Sequence, residues 1–419
     1  MRLLKVDTLQ EAREKLLKSA AGKPLKTEKV HFSSSLGRVL AEDMRSEENI
    51  PGFRRSTVDG YAVRAIDTQG VTESIPVFLD VIETVEMGMA PTKTVGPGQA
   101  IYVPTGGMVP EGADAMVMIE FCEKFDETSI AVYDPVSPGR NVVAVGEDIT
   151  KGTGFLSKGQ CIRPQEVGVL ASAGVFEPEV FAPWKVTVIS TGDELVGGET
   201  TPDKGQIRDI NTYSVSAAAT QLGFEVIDTK VLKDDEALIE DAVKEAMAVS
   251  DLVVVSGGSS QGEKDHTADV MDRLSGGGVF THGIALKPGK PTILGYDYAS
   301  ETVLVGLPGH PAAAMMVFEL MIGWLWRTLT GQKERSMVVA EITENVAAAG
   351  GRATCQLVEL IDAADEKSEE KTVKAHYKAV PIFGKSGLMT TLTRADGYVL
   401  IETNDEGLKE GQQVKVRLF

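Results

Sequence analysis

Residues 251–270, DLVVVSGGSSQGEKDHTADV, decide how the chain is read. An apolar, β-branched run, Leu252–Val255, breaks at Gly257 and Gly258. It continues through Ser259, Ser260, Glu263, Lys264 and Asp265 before a helix-like segment begins. A buried strand that ends in flexible, polar and charged chain suits a ligand-holding turn at the carboxyl edge of a parallel sheet. The flanking sequence extends the pattern. KVTVIS, FEVIDTKVL and ETVLVGLPG read as strands, and TYSVSAAATQLG, DEALIEDAVKEAMAVS, DHTADVMDRL and HPAAAMMVFELMIGWLWRTLTG as helices. Strands alternating with helices over 183–331 predict an α/β domain with a parallel sheet covered by helices.

The rest of the chain reads differently. Residues 332–419 alternate with period two and hold no helical pattern; DGYVLIETNDEGLKEGQQVKVRLF gives two strands around a Gly-containing turn, so a small C-terminal β-barrel is expected. Residues 48–139, with PVFLDVIETV and AIYVPTGG among Pro and Gly, read as a β-rich domain. Residues 1–47 and 140–182 flank it and are expected to form one discontinuous domain. It would bring RPQEVGVLASAG together with an N-terminal helix capped near Asp7 or Thr8.

Composition bounds the function. A chain of 419 residues with 42% hydrophobic and 25% charged residues is a folded protein of several domains. Cys122, Cys161 and Cys355 are scattered and odd in number, which fits neither a disulfide framework nor a zinc site. The N-terminal segment lacks the pattern of a signal peptide, and the apolar stretch 312–326 is short and interrupted by Glu319. A cytoplasmic protein with no membrane partner is therefore expected. A net charge of −19 argues against nucleic-acid binding, and means that any anionic ligand must be drawn in by local cations or a metal.

Four loops at strand ends carry chemistry. VISTGDEL presents Ser190, Thr191, Gly192, Asp193 and Glu194; VLKDDE presents Asp234 and Asp235; SGGSSQGEKD ends in Asp265; and VGLPGHP places Pro308, Gly309 and Pro311 on a turn. IALKPGKP adds Lys287 and Lys290 on a rigid turn. Each also has a plain structural explanation: Asp265 and one of Asp234 or Asp235 as helix caps, the glycines as tight turns, the lysines as solvated loop residues. Their convergence on one sheet edge favours a phosphate site. Glycines admit backbone N–H groups, lysines supply charge, and carboxylates beside a phosphate make sense around a divalent cation such as Mg²⁺. RRSTVDGYAVRA, with Asp59, and GRNVVAVGEDITKG, with Asp148, read as charged turns.

The motifs RSTVDGYA, PTGGMVPEGADAMV, GEDITKG, STGDEL, GQIRDINTY, SGGSSQGEKD, KPGKP and LPGHP, in this order, closely resemble the molybdopterin molybdenumtransferases, the family of bacterial MoeA and the gephyrin E domain. The resemblance implies an enzyme that takes adenylylated molybdopterin and molybdate or tungstate and, with Mg²⁺, inserts the metal and releases AMP. It implies four domains and an elongated homodimer with a shared cleft. Asp59 and Thr105 would lie on the partner-facing side, with Asp148 nearby. Glu194, Asp234 and Asp265 would be the functional acids, Glu194 and Asp265 those facing the metal. Ser190, Thr191, Gly192, Gly257, Gly258 and Ser259 would hold the substrate, Lys287 and Lys290 the phosphate or oxyanion, and Pro308, Gly309 and Pro311 the neighbouring wall. Contact with a molybdopterin adenylyltransferase is a further expectation.

The chain departs from the family pattern at three places. His310 stands where Asn is usual, NVVAVGED is apolar where arginines are common, and THGIALKPGKP lacks a lysine that some members place before Lys287. The last two remove positive charge from an anion site and leave the choice between molybdate and tungstate open. The adenylyltransferase that makes the preceding intermediate is one alternative, disfavoured by the extra domains and by GGSSQGEKD. A non-catalytic pterin carrier or scaffold is the other, disfavoured by the retained acids and lysines.

Overall fold

The architecture, obtained as a computed structural model, is described for residues 6–257, 266–363, 377–385 and 387–419. Gly258, Ser259 and Asp265 lie outside the described residues.

The α/β unit is built on a six-stranded sheet. Its strands lie in the order Glu225–Leu232, Lys185–Thr191, Leu252–Ser256, Thr302–Leu307, Ile293–Asp297 and Val279–His282. The first four pair in parallel; Ile293–Asp297 is reversed and pairs antiparallel with both of its neighbours at one edge. The sheet is therefore mixed where the sequence pattern predicted a parallel one. The reason is the connection: only residues 298–301 separate Asp297 from Thr302, enough for a hairpin and far too few for a crossover.

Both faces are covered, which explains the unbroken apolar runs. Leu252, Val254, Val186, Val188, Val303 and Val305 point into one core with helices Asn211–Gln221 and Pro311–Phe318. The alternate residues Val253, Val255, Ile189 and Leu304 point into the other, with helices Glu236–Met247 and His266–Leu274. The N-terminal helix Leu9–Ala20 belongs to the first of these cores through Leu9, Ala12, Leu16 and Ala20. It does not pack with the helix Pro164–Ser172, as its sequence neighbourhood suggested; its apolar stripe finds Trp184 and the long C-terminal helix instead. Thr8 is its cap, in a reciprocal capping box with Glu11, while Asp7 is buried, paired with Lys15 at 2.6 Å and accepting from Thr281 at 2.7 Å.

The long helix continues from Pro311–Phe318 through a π turn, Glu319–Gly323, to Trp324–Thr330. Pro311–Thr330 is long and apolar enough to cross a membrane, but 67% of its most apolar window is buried inside the protein. It is a core helix.

The β-rich unit carries a six-stranded sheet, Ala115–Met118, Gly60–Val63, Gln99–Val103, Val77–Thr84, Ser129–Val132 and Cys122–Lys124, with a small core on each face. The C-terminal barrel closes through five strands, Ala353–Asp362, Tyr377–Pro381, Met337–Ile342, Gln413–Leu418 and Gly397–Ile401, the last pairing back to the first. Thr390–Thr393 forms a short helix that the period-two reading had not anticipated. The strand Leu286–Lys287 of the α/β unit adds in parallel to the barrel strand at Ala353 and Thr354, tying the KPGKP turn to the barrel.

A third, smaller region pairs Thr27–Lys29 with Glu179–Phe181 and Met44–Arg45 with Gly154–Leu156, around a core of Leu40, Ile162, Leu170 and Val180. Here Glu166 is buried and accepts from Arg163 Nη2 at 2.6 Å, the Arg163 backbone N–H at 2.9 Å and Gln160 at 3.0 Å. The Arg163 side chain, first among these, holds the Glu166 carboxyl down from an ordinary 4.5 to about 2. A depressed carboxylate stabilises the fold fully above its unfolded value, and that contribution is lost as pH falls through the folded one. Glu166→Gln is therefore expected to melt lower than the parent at pH 7, the difference shrinking steadily between about pH 4.5 and about pH 2. Melting curves across that range check it; a pH-independent difference would contradict it.

Candidate functional site

Chain order changes direction between the strands Lys185–Thr191 and Leu252–Ser256, since the first connects outward to Glu225–Leu232 on one side and the second leads toward Thr302–Leu307 on the other. The crevice outside such a switch point is where open α/β sheets bind ligands. A cavity of about 650 Å³ opens there. Its walls include Ser190, Thr191, Glu194, Asp209, Asn211, Asp234, Ser256, Gly257, Pro308, Gly309, His310 and Pro311.

The local geometry follows from the sequence. Gly257 adopts φ +103°, and a Cβ there would sit 2.2 Å from the Thr191 carbonyl oxygen, so only glycine lets the two loops close on each other. Asn211, at the start of its helix, donates through Nδ2 to Ser256 Oγ at 2.7 Å and to the Gly309 carbonyl at 2.9 Å, locking three loops together. Ser190 and Thr212 share a hydrogen bond of 2.8 Å. Asp235, not Asp234, caps the helix Glu236–Met247 by accepting from Leu238 N–H at 3.1 Å, which leaves Asp234 to face the cavity. Glu194 and Asp234 are both exposed.

Three buried polar atoms on these walls, Thr191 Oγ1, Asp209 Oδ2 and Asn211 Oδ1, have no hydrogen-bond partner among the described residues. Buried polar groups are nearly always paired, so three such atoms around one cavity mark a place where a polar ligand completes the bonding.

A second cavity, of about 750 Å³, adjoins the first across Pro291, Pro308 and His310. It is lined by Lys287, Lys290, Arg352 and Lys385, and its described lining contains no carboxylate. Gly289, at φ +129°, makes this turn possible, because a Cβ would meet Val317 Cγ2 at 2.6 Å. Cys355 also reaches this wall, but burial pushes its thiol up to about 12, which keeps it protonated and unreactive.

The structure thus brings Ser190, Thr191, Glu194, Asp234, Gly257, Pro308, Gly309 and Pro311 to one cavity, with Gly192 beside it in the same loop, and Lys287 and Lys290 to its neighbour. Asp59, Thr105 and Asp148 line neither. Asp59 accepts from the Thr105 backbone N–H at 2.8 Å, both exposed on the β-rich unit, and Asp148 sits at a separate hollow beside Phe155 and Glu166. Asp209, Asn211 and Ser256 were not singled out by sequence reasoning. Asp209 and Asn211 stand within the quoted motif GQIRDINTY, and Ser256 ends the strand read from DLVVVSGG, so motif and position held the signal. Arg352 and Lys385 carried no such signal, since they arrive from the barrel.

Sequence comparison places these cavities in a known context. The MoeA N-terminal region (domain I and II) matches residues 7–174, the probable molybdopterin binding domain 187–327 and the MoeA C-terminal region (domain IV) 339–419. The molybdopterin molybdenumtransferase of Haemophilus influenzae is 36% identical over 328 residues, 78% of each chain. The Bacillus subtilis enzyme of the same name is 31% identical over 399 residues, 94% of this chain and 90% of its own. The chain belongs to the MoeA family of molybdopterin molybdenumtransferases. The crystal structure of the MoeA protein from Pyrococcus horikoshii OT3 agrees in fold along the whole length, with a TM-score of 0.82, 30% identity, and 99% and 100% of the two chains covered. In this chain the cavity at the switch point is lined, apart from Gly387, by the segment that matches the probable molybdopterin binding domain, and the cation-lined cavity by that segment and the domain IV match.

Proposed function

We propose that this chain inserts molybdenum into adenylylated molybdopterin, cleaving the phosphoanhydride and releasing AMP, as a cytoplasmic homodimer divided as read from the sequence but with the N-terminal helix seated on the α/β unit. The observation that carries the reading is the adjoining pair of cavities, three acids beside Arg208 in one and cations without a described carboxylate in the other, sharing the wall Pro291, Pro308 and His310. The unpaired acceptors Asp209 Oδ2 and Asn211 Oδ1 suit the N–H edge of a pterin, and Thr191 Oγ1 and the Gly257 turn suit its phosphate. Lys287, Lys290, Arg352 and Lys385 attract molybdate or tungstate next door, which reconciles anionic substrates with a net charge of −19.

Glu194 and Asp234 provide hard oxygen donors of the kind Mg²⁺ prefers; no group of three or more such ligands lies together among the described residues, so a cation here would be completed by substrate phosphate oxygens and water. When bound, Mg²⁺ would polarise the anhydride and neutralise charge on its oxygens. The protein's own part is to hold both substrates in register and to stabilise charge through the lysines as the bond breaks. Asp59, Thr105 and Asp148 are assigned to the cleft face completed by the second subunit, where contact with an adenylyltransferase would also deliver the intermediate.

The test is AMP release from adenylylated molybdopterin with Mg²⁺ and either oxyanion. Release that depends on molybdate or tungstate supports the reading; tight binding without release makes the protein a carrier. Lys290→Gln is expected to raise the half-saturating oxyanion concentration about tenfold or more, with a smaller change in maximal rate. An unchanged oxyanion dependence would remove Lys290 from the site.

A further inference from the structure

Another concavity lies along the long helix, apart from the two adjoining cavities and the hollow at Asp148. It is small, about 60 Å³, and sits where the N-terminal helix, the π turn, the linker after residue 331 and two barrel strands meet. Four arginines line it: Arg13, Arg327, Arg335 and Arg417. Glu319 accepts from Arg327 Nη2 at 2.7 Å and from Arg335 Nη2 at 3.2 Å. Arg13 donates to the Leu320 carbonyl at 2.8 Å and 3.0 Å and lies 5.0 Å from the centre of the Trp324 ring.

Charge does not balance here. Glu319 and Glu334 are the acids in the lining, against four guanidinium groups, which leaves two positive charges over. The ion-paired members are well covered, Arg327 16%, Arg335 24% and Glu319 13% exposed. Burial first, and after it the charge of Arg417, holds Arg13 below the ordinary arginine value, with Tyr398 and Glu334 acting the other way. Such an excess in a strongly acidic protein is costly unless an anion shares the site. Guanidinium forks match tetrahedral oxyanions, and the volume admits one such ion and excludes a nucleotide or a peptide.

We propose that this cavity binds one small dianionic oxyanion of the phosphate, sulfate, molybdate or tungstate type, clamping the barrel to the α/β unit. Arg335 and Arg417 come from the barrel side, Arg13 and Arg327 from the helices, so one ion bridges both. The inference stands apart from the reading of the two cavities at the switch point.

The experiment titrates sodium phosphate into the full-length protein at constant ionic strength, following melting temperature and heat of binding. Wild type and Arg394→Gln, a change at an exposed arginine outside these cavities, are expected to show the same saturable stabilisation, and Arg417→Gln to bind about tenfold or more weakly. Full phosphate response in Arg417→Gln, or an equal loss in Arg394→Gln, overturns the proposal. Should Arg417→Gln fail to fold, crystals of the wild type soaked in tungstate decide. A tungsten peak among the four arginines supports the site; a peak confined to the cavity of Lys287 and Lys290 refutes it. Repeating the titration with sulfate, molybdate and tungstate tells the sources apart, any saturable binding lost in Arg417→Gln supporting the site.

Discussion

Glu194→Gln is expected to lower the rate constant for oxyanion-dependent AMP release by about two to three orders of magnitude, the scale of one lost transition-state contact. The melting temperature should not move. Glu194 lies just past the strand Lys185–Thr191, and its backbone carbonyl, not its side chain, accepts from Ile207 N–H at 2.8 Å. The side chain is exposed on the cavity wall and belongs to no core, so glutamine fills the same space without disturbing the fold. Glutamine keeps an oxygen donor and the shape of the wall, so affinity for the substrate should change far less than the rate. A fall in kcat with little change in KM is therefore the expected signature, and it separates a role in the reaction from a role in binding. The neighbour Asp193 offers the control. It accepts from the Asp234 backbone N–H at 3.3 Å and does not line the cavity, so Asp193→Asn should cost far less. Near-normal turnover in Glu194→Gln would remove this residue from the chemistry.

Some of this was legible in the sequence because strand, turn and helix signals are local. The run Leu252–Val255 with its glycines marked a buried strand, and Gly257 at φ +103° closes against Thr191 where the motif placed a tight turn. Glu319, read as a break in an apolar stretch, sits at a π turn under two arginines. What could not be read was whatever depends on segments meeting. The choice of Asp235 over Asp234 as the cap needs backbone direction, and the hairpin at 298–301 needs the register of two strands. Nor could spacing bring Arg352 and Lys385 to the KPGKP turn: that meeting follows from Leu286 and Lys287 pairing with Ala353 and Thr354 of the barrel. Asp59 and Thr105 belong to quoted motifs yet meet each other on the β-rich unit, away from both cavities, a separation that motif spacing does not reveal.

Gly257→Ala should injure fold and function together. The residue holds φ +103°, a region that costs an L-residue about 1–3 kcal/mol, and the new methyl would lie 2.2 Å from the Thr191 carbonyl oxygen, far inside contact distance. That oxygen belongs to backbone at the end of a buried strand and cannot swing away as a flexible side chain would. The loop after Leu252–Ser256 must therefore shift, breaking the arrangement in which Asn211 spans Ser256 and Gly309. The expected result is a stability loss of about 2–4 kcal/mol by denaturant titration, with AMP release reduced more than about tenfold even where the protein remains folded. Gly309→Ala provides the contrast, because its nearest neighbour, the Gly257 Cα, lies at 3.8 Å, an ordinary contact, and no left-handed backbone is required. Gly309→Ala should therefore unfold at nearly the parental denaturant concentration. Equal destabilisation in both variants would mean that the turn tolerates no methyl anywhere and that the close approach of Gly257 to Thr191 is not what shapes the site.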